Sequence, residues 1–309
     1  VGLNYKVFEK GALVNSLFHF PSQMVFFTTP DLLEIGDLPF VTPHGKPTRD
    51  EALRYHRRVV EAFELEIDYG FLVDSIQFDA NDDMFNVRTK NSAGAKEKWS
   101  GRTVVIATGC YDRPNRLGVP GEDMPHVSHY FTESHGFYGK RVVVVGGKNS
   151  AAEAALELYR SGVDVTLVHR GSELGSSIKY WVKPDIENRI KEGSIPARFE
   201  AKVVEIQRDA VLVETGGVVE TLPADGVFLL TGYIADVDFL RSAGINVNSN
   251  NVPERDSESF ETNVPGLYIA GAVVAGANRG EVFIENGRFH GRVVVDHVVK
   301  RLERVSLAM

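Results

Sequence analysis

The feature that most limits what this chain can become is the run 141–170, RVVVVGGKNSAAEAALELYRSGVDVTLVHR. Consecutive valines leave no polar face, as in a strand covered on both sides. Two glycines then turn the chain, and an Ala- and Leu-rich stretch closed by Gly162 reads as a helix. VDVTLVHR reads as a second buried strand. Strand, helix and strand in this order form a right-handed parallel βαβ unit, which requires more parallel sheet around it.

Chemistry can sit in the turn of that unit. Gly146 and Gly147 precede a helix N-terminus, whose amide groups and dipole attract an anion such as pyrophosphate. Gly146 and Ala151 match the first and last positions of G-x-G-x-x-G/A. Lys148 replaces the middle glycine, which leaves two roles open for it: outward display or an ammonium contact to phosphate. At the end of the second strand, His169 and Arg170 stand where an acid would bond the ribose 2′-hydroxyl of NAD. An arginine there pairs with a 2′-phosphate instead, which favours NADPH over NADH; the plainer reading is a solvated strand-end arginine.

The N-terminal segment VGLNYKVFEKG reads as the second half of another such unit: a helix-ending Gly2, a strand at about 5–8, and the acid Glu9. An acid at that place suits an unphosphorylated adenosine ribose, as in FAD, although acids are common at strand ends. Val1 is not an initiator methionine, and no signal core precedes the strand. The first strand and glycine turn of this unit are expected upstream of residue 1.

Residues 11–46 show no clean periodicity and read as a long structured loop. Residues 48–63 read as a helix capped by Thr48, with Leu53, Val60 and Phe63 on one face. Strands follow at about 72–78, 85–89 and 103–107, then at 203–206, 211–214, 227–230 and 267–270. Residues 281–303 read as a closing helix. The fold class is α/β: two Rossmann-like, three-layer domains, the NADPH domain inserted in the FAD domain, with the first strand and helix of the FAD domain absent. The FAD-binding part spans 1–118 and 241–309, and the NADPH-binding part spans 119–240.

Bulk properties narrow the partners. A chain of 309 residues accommodates two ordinary domains. Its net charge of −8 makes nucleic acid a poor general partner. No apolar run approaches the ~20 residues that cross a bilayer. The single cysteine, Cys110, fits a reducing cytoplasm and leaves no C-x-x-C redox pair, so it reads as a buried structural thiol. His126, His129 and His135 lack an acid or Cys companion at a metal-ligand spacing, so no metal is expected there.

Together, ATG at 107–109, GGKNSA at 146–151, VTLVHR at 165–170 and GLYIAG at 266–271 resemble the thioredoxin-reductase-like branch of the pyridine-nucleotide disulfide oxidoreductases. VFEKGALVNS, FFTTPDLLEIGD, RPNRLGVPGEDMPHVSHYF and VFIENGRFHG are similar to one subfamily within it, the bacillithiol disulfide reductases. That resemblance implies electron flow from NADPH through FAD to a small-molecule disulfide, in a cytoplasmic homo-oligomer. It implies FAD contacts at Glu9, Asn15, Ser16, Ala107, Thr108, Gly109, Gly271 and Ile284, and NADPH contacts at Gly146, Gly147, Asn149, Ser150, His169 and Arg170. Ser150 would both cap the helix and offer its hydroxyl to phosphate.

The catalytic residue stays unknown, because the subfamily's cysteine matches a position ahead of Val1. Ala272 also departs from the pattern, which has an Asp contacting FAD after the GLYIAG-type strand. Three other readings remain open. A flavin monooxygenase shares the architecture, but PGEDMPHVSHYF lacks the glycine of its linker motif. A ferredoxin-NADP reductase also lacks C-x-x-C, and a non-catalytic nucleotide-binding or redox-sensing module would bind without turnover.

A Rossmann sheet without its first strand leaves unpaired backbone groups beside the second. The chain as written is therefore expected to aggregate readily and to hold FAD poorly. Purification as a yellow protein with stoichiometric flavin absorbance is the contrary outcome.

Overall fold

The computed structural model describes residues 2–276 and 282–307, so Glu281, where the sequence predicts the closing helix to begin, lies outside the described residues. The chain forms two compact units. One comprises Val1–Phe18, Met24–Arg113 and Ile234–Met309; the other comprises His19–Gln23 and Pro114–Tyr233.

In the first unit, β1 (Val7–Glu9) starts two residues later than the sequence predicts and pairs in parallel with β2 (Ile67–Tyr69), Glu9 opposite Tyr69. The intervening chain is mostly irregular, as expected, with a short α1 (Asn15–Phe18) and a 3₁₀ turn at Pro30–Leu33. α2 (Arg49–Ala62) opens with a reciprocal cap. The Glu51 N–H donates to Thr48 Oγ1 at 3.3 Å, and the Thr48 N–H donates to Glu51 Oε2 at 2.8 Å.

The face α2 buries is Ala52, Tyr55, His56 and Val59, not Leu53, Val60 and Phe63. The 35–40 loop decides this. Tyr55 stacks on Phe40 at 4.3 Å, its hydroxyl donates to the Leu38 carbonyl at 2.9 Å and it accepts the Ile35 N–H at 2.7 Å. An antiparallel meander of β3 (Phe71–Asp79), β4 (Met84–Asn91) and β5 (Lys96–Gly101) precedes β6 (Val104–Ile106).

The second unit has three layers. Its elements are β7 (Val127–Ser128), β8 (Arg141–Val145), α3 (Asn149–Arg160), β9 (Asp164–Val168), α4 (Lys183–Lys191), β10 (Ala197–Arg198), β11 (Ala201–Ile206), β12 (Ala210–Thr215), β13 (Val218–Pro223) and β14 (Gly226–Leu229). The parallel sheet runs β10-β9-β8-β14-β7. Alternation along each strand feeds two cores. Val142, Val144, Val165 and Leu167 pack with Ala155, Leu158 and Ile186 of the helices. Val143, Val145, Val168 and Val227 pack on Val203, Val211 and Val213 of the β11–β12–β13 meander.

The chain then returns to the first unit with α5 (Val237–Ser242), β15 (Leu267–Ile269), α6 (Ile284–Gly287) and α7 (His290–Leu307). β15 pairs in parallel with β6, Ile269 opposite Ile106. Among the described residues the β1–β2 and β6–β15 pairs are separate ladders. The closing helix is two helices rather than one, broken at Arg288 and Phe289. Arg288 is pinned there, its Nη1 donating to the carbonyls of Asp31 and Glu34 at 2.8 Å each. Cys110 is half-buried against the β6–β15 core rather than fully buried.

Thr48→Ala is expected to lower stability by about 1 kcal/mol in urea unfolding, and Thr48→Ser to retain it. The Thr48 N–H, foremost, holds the Glu51 carboxyl below its ordinary value. Its contribution is therefore present above the ordinary glutamate range and is lost as pH falls through the lowered folded value.

Candidate nucleotide sites

In the second unit, strand register places the site. Val145 is opposite Val168 on one side and Leu229 on the other, so Gly146, His169 and Leu230 leave the sheet level with one another. The Gly146 N–H donates to the Val168 carbonyl at 2.9 Å, and Leu230 N–H to the Val145 carbonyl at 2.8 Å. Only glycine fits at 146: φ is +152°, and a Cβ would lie 2.6 Å from Leu230 O and 2.8 Å from Ala151 Cβ. A Cβ at Gly147 would meet the His169 ring at 2.3 Å, so that imidazole lies against the turn. Burial, with Arg170 adding repulsion, lowers the His169 pKa. Arg170 is exposed, one residue past His169.

α3 starts with Lys148 as N-cap, in extended backbone and with no side-chain cap. Ser150 is thus inside the first turn and does not cap the helix; its hydroxyl remains exposed beside the N-terminal amides. Those amides precede the first intrahelical bond, Ala152 N–H to Lys148 O at 3.0 Å, and present the positive pole of α3. A phosphate group fits this cradle. Asn149 is committed elsewhere: its Nδ2 donates to Ser177 O at 3.0 Å and its Oδ1 accepts the Lys179 N–H at 2.9 Å.

In the first unit the relevant residues gather at the carboxyl ends of parallel strands. The Ala270 N–H donates to the Ile106 carbonyl at 3.0 Å, which sets Ala270 level with Ala107 and Gly271 one residue beyond. Gly109 (φ +69°) and Gly271 (φ +74°) both have open space where a Cβ would stand, as a closely approaching ligand requires. Glu9 Oε1 accepts the Gly11 N–H at 2.7 Å, and the Lys10–Asp112 ion pair at 2.9 Å ties the end of β1 to the segment after Gly109.

Thr108 is exposed at that end, and Ile284 opens α6, whose Gly287 lies against Gly271. Ala272 supplies no side-chain acceptor; instead the Gly271 N–H donates to His290 Nδ1 at 3.2 Å. This arrangement of glycines, an acid at the end of β1 and open strand ends fits FAD. Asn15 and Ser16 belong to α1, at the corner it makes with α2, where Asn15 Oδ1 accepts the Ala12 N–H at 3.2 Å.

Sequence reasoning missed His290, Lys10 with Asp112, and the Ser177 and Lys179 contacts to Asn149. Of the three histidines in 126–135, His129 Nε2 lies 3.3 Å from Glu122. The Glu122 carboxylate accepts the N–H groups of Leu117 and Gly118 at 2.9 and 2.7 Å and so knots the 117–122 loop.

Residues 1–271 match the family described as pyridine nucleotide-disulphide oxidoreductase. The chain is 41% identical over 303 residues to the bacilliredoxin reductase Bdr of Bacillus subtilis, covering 97% of this chain and 92% of that protein. It is similar in structure to the bacillithiol disulfide reductase Bdr of Bacillus cereus, with TM-score 0.94 and 40% identity over 97% of this chain and 92% of that one. Thioredoxin reductase of T. acidophilum shares the fold at TM-score 0.72 and 23% identity, over 95% of this chain and 88% of that one. The chain belongs to the pyridine nucleotide-disulphide oxidoreductase family.

Proposed function

We propose that this oxidoreductase passes electrons from NADPH, by way of FAD, to a low-molecular-weight disulfide, bacillithiol disulfide. The unit containing Pro114–Tyr233 takes NADPH, and the unit containing β1, β6 and β15 takes FAD. When bound, the flavin supplies the redox chemistry, accepting hydride from the nicotinamide and delivering two electrons to the disulfide. The chain's own residues bind and orient. Gly146 and Gly147 let backbone approach the pyrophosphate, and the N-terminal amides of α3 with Ser150 hold it. Arg170 forks onto the 2′-phosphate, and His169, neutral through burial, lies against the turn.

Gly109 and Gly271 leave room for the flavin, and Glu9 suits its adenosine ribose. The single observation that carries the reading is the level exit of Gly146 and His169 from β8 and β9. The disulfide follows from the Bacillus cereus relative's name and the length of that match. One thiol and no disulfide suit the reducing cytoplasm that the reading assigns. The reading includes a homo-oligomer, tested by sedimentation of the purified chain.

The test is anaerobic NADPH oxidation with FAD and bacillithiol disulfide added. Loss of 340 nm absorbance that depends on the disulfide supports the reading; oxidation only with ferredoxin, or only with oxygen, overturns the substrate. Arg170→Ala is expected to raise the KM for NADPH roughly ten- to hundredfold, the worth of a charge-assisted hydrogen bond, while leaving that for NADH within about twofold.

A further inference from the structure

The segment 171–182, between β9 and α4, is tied to the phosphate turn rather than left to solvent. The Gly175 N–H donates to the Gly147 carbonyl at 2.8 Å. Both ends of the Asn149 amide bond the segment, at Ser177 O and at the Lys179 N–H. Lys179 Nζ reaches Glu153 on α3 at 2.7 Å and stands 5.8 Å from the centre of the Trp181 ring.

The next residues displayed are two large aromatics. Tyr180 is 83% exposed and Trp181 45% exposed, their rings edge to face at 4.8 Å. An aromatic pair held at that angle has a set orientation, and exposing it costs free energy unless something covers it.

Resting on the NADPH reading of this unit, we propose that Tyr180 and Trp181 are the stacking surface for the adenine of the dinucleotide, and that Asn149 is the positioning residue that sets its distance from the phosphates. The segment begins directly after Arg170. Of the two bases in NADPH, the one carried by the 2′-phosphorylated ribose is therefore the one on this side. Pyrophosphate on the turn and 2′-phosphate on Arg170 fix two points of the adenosine half; the base is the third, and it calls for a flat apolar partner. Stacking on Tyr180 and Trp181 supplies one without any hydrogen-bond readout.

The probes are NADP⁺ and 2′,5′-ADP, the adenosine half alone. The full chain carries two tryptophans, Trp99 and Trp181, so a Trp99→Phe background makes Trp181 the sole tryptophan, read by exciting beyond the tyrosine absorption band. Both probes are expected to quench Trp181 emission. By calorimetry, Tyr180→Ala and Trp181→Ala are expected to weaken 2′,5′-ADP binding roughly five- to hundredfold, the range for one base stacked on an aromatic ring. Tyr180→Phe retains affinity within about twofold, and Asn149→Ala reduces both affinity and quench.

If Arg170→Ala weakens binding while the Tyr180 and Trp181 variants bind like the parent, the base lies elsewhere and the inference is overturned. Quench by NADP⁺ but not by 2′,5′-ADP overturns the assignment to adenine. A parent chain that binds neither probe removes the NADPH reading itself, and the inference with it.

Discussion

Strand register in the second unit is the constraint on which the rest depends. Val145 must stand opposite both Val168 and Leu229 for the turn after β8 to meet the end of β9. A slip of one residue would send the valines of each strand to the wrong core, because the helix layer and the meander layer take alternate side chains. The same packing that stabilises the sheet therefore places Gly146 beside His169. Gly146 is confined by Leu230 O and Ala151 Cβ, so the backbone route into α3 leaves little latitude. Core packing and the placement of the turn are one constraint here.

Around this turn, the usual divisions of labour are altered. Lys148 takes the N-cap position without a side-chain cap, and the Asn149 amide holds the 171–182 segment. A comparable substitution occurs at the other site. With Ala272 in place of an acid, the Gly271 turn is held from α7, by an imidazole whose ring also stacks on Phe260 at 4.2 Å. Burial, with Arg255 adding repulsion, lowers the His290 pKa, which suits an Nδ1 that accepts a hydrogen bond. In both places groups outside the local motif hold it: the Ser177 and Lys179 backbone at Asn149, and His290 at Gly271.

Legibility followed the strength of local periodicity. The 141–170 unit was visible almost residue by residue, because buried parallel strands and an alanine-rich helix have unmistakable composition. β2, β5, β13, α4 and α5 were not foreseen. KEKWSG in β5 and the largely exposed β13 carry no clear apolar alternation, and they are strands only because β4 and β12 offer them a ladder. The face of α2 was misread because Tyr55 and His56 look polar in sequence; the 35–40 loop holds Tyr55, and His56 Nδ1 pairs with the Ala52 carbonyl of its own helix. Ser150 looked like a cap because serine favours that position, yet the N-cap is Lys148, two residues earlier, and the helix starts at Asn149.

By itself the sequence determined the family, the α/β class, the glycine turns after β8 and β15 and the charge at Arg170, since each is written in contiguous residues whose backbone needs are local. Tertiary structure alone decided which distant groups complete those turns: Asp112 for Lys10, His290 for Gly271, and the Ser177 and Lys179 backbone for Asn149. Hydrogen bonds and ion pairs between residues far apart in the chain leave no periodic signature. They exist because strand pairing and helix packing bring those groups within about 3 Å.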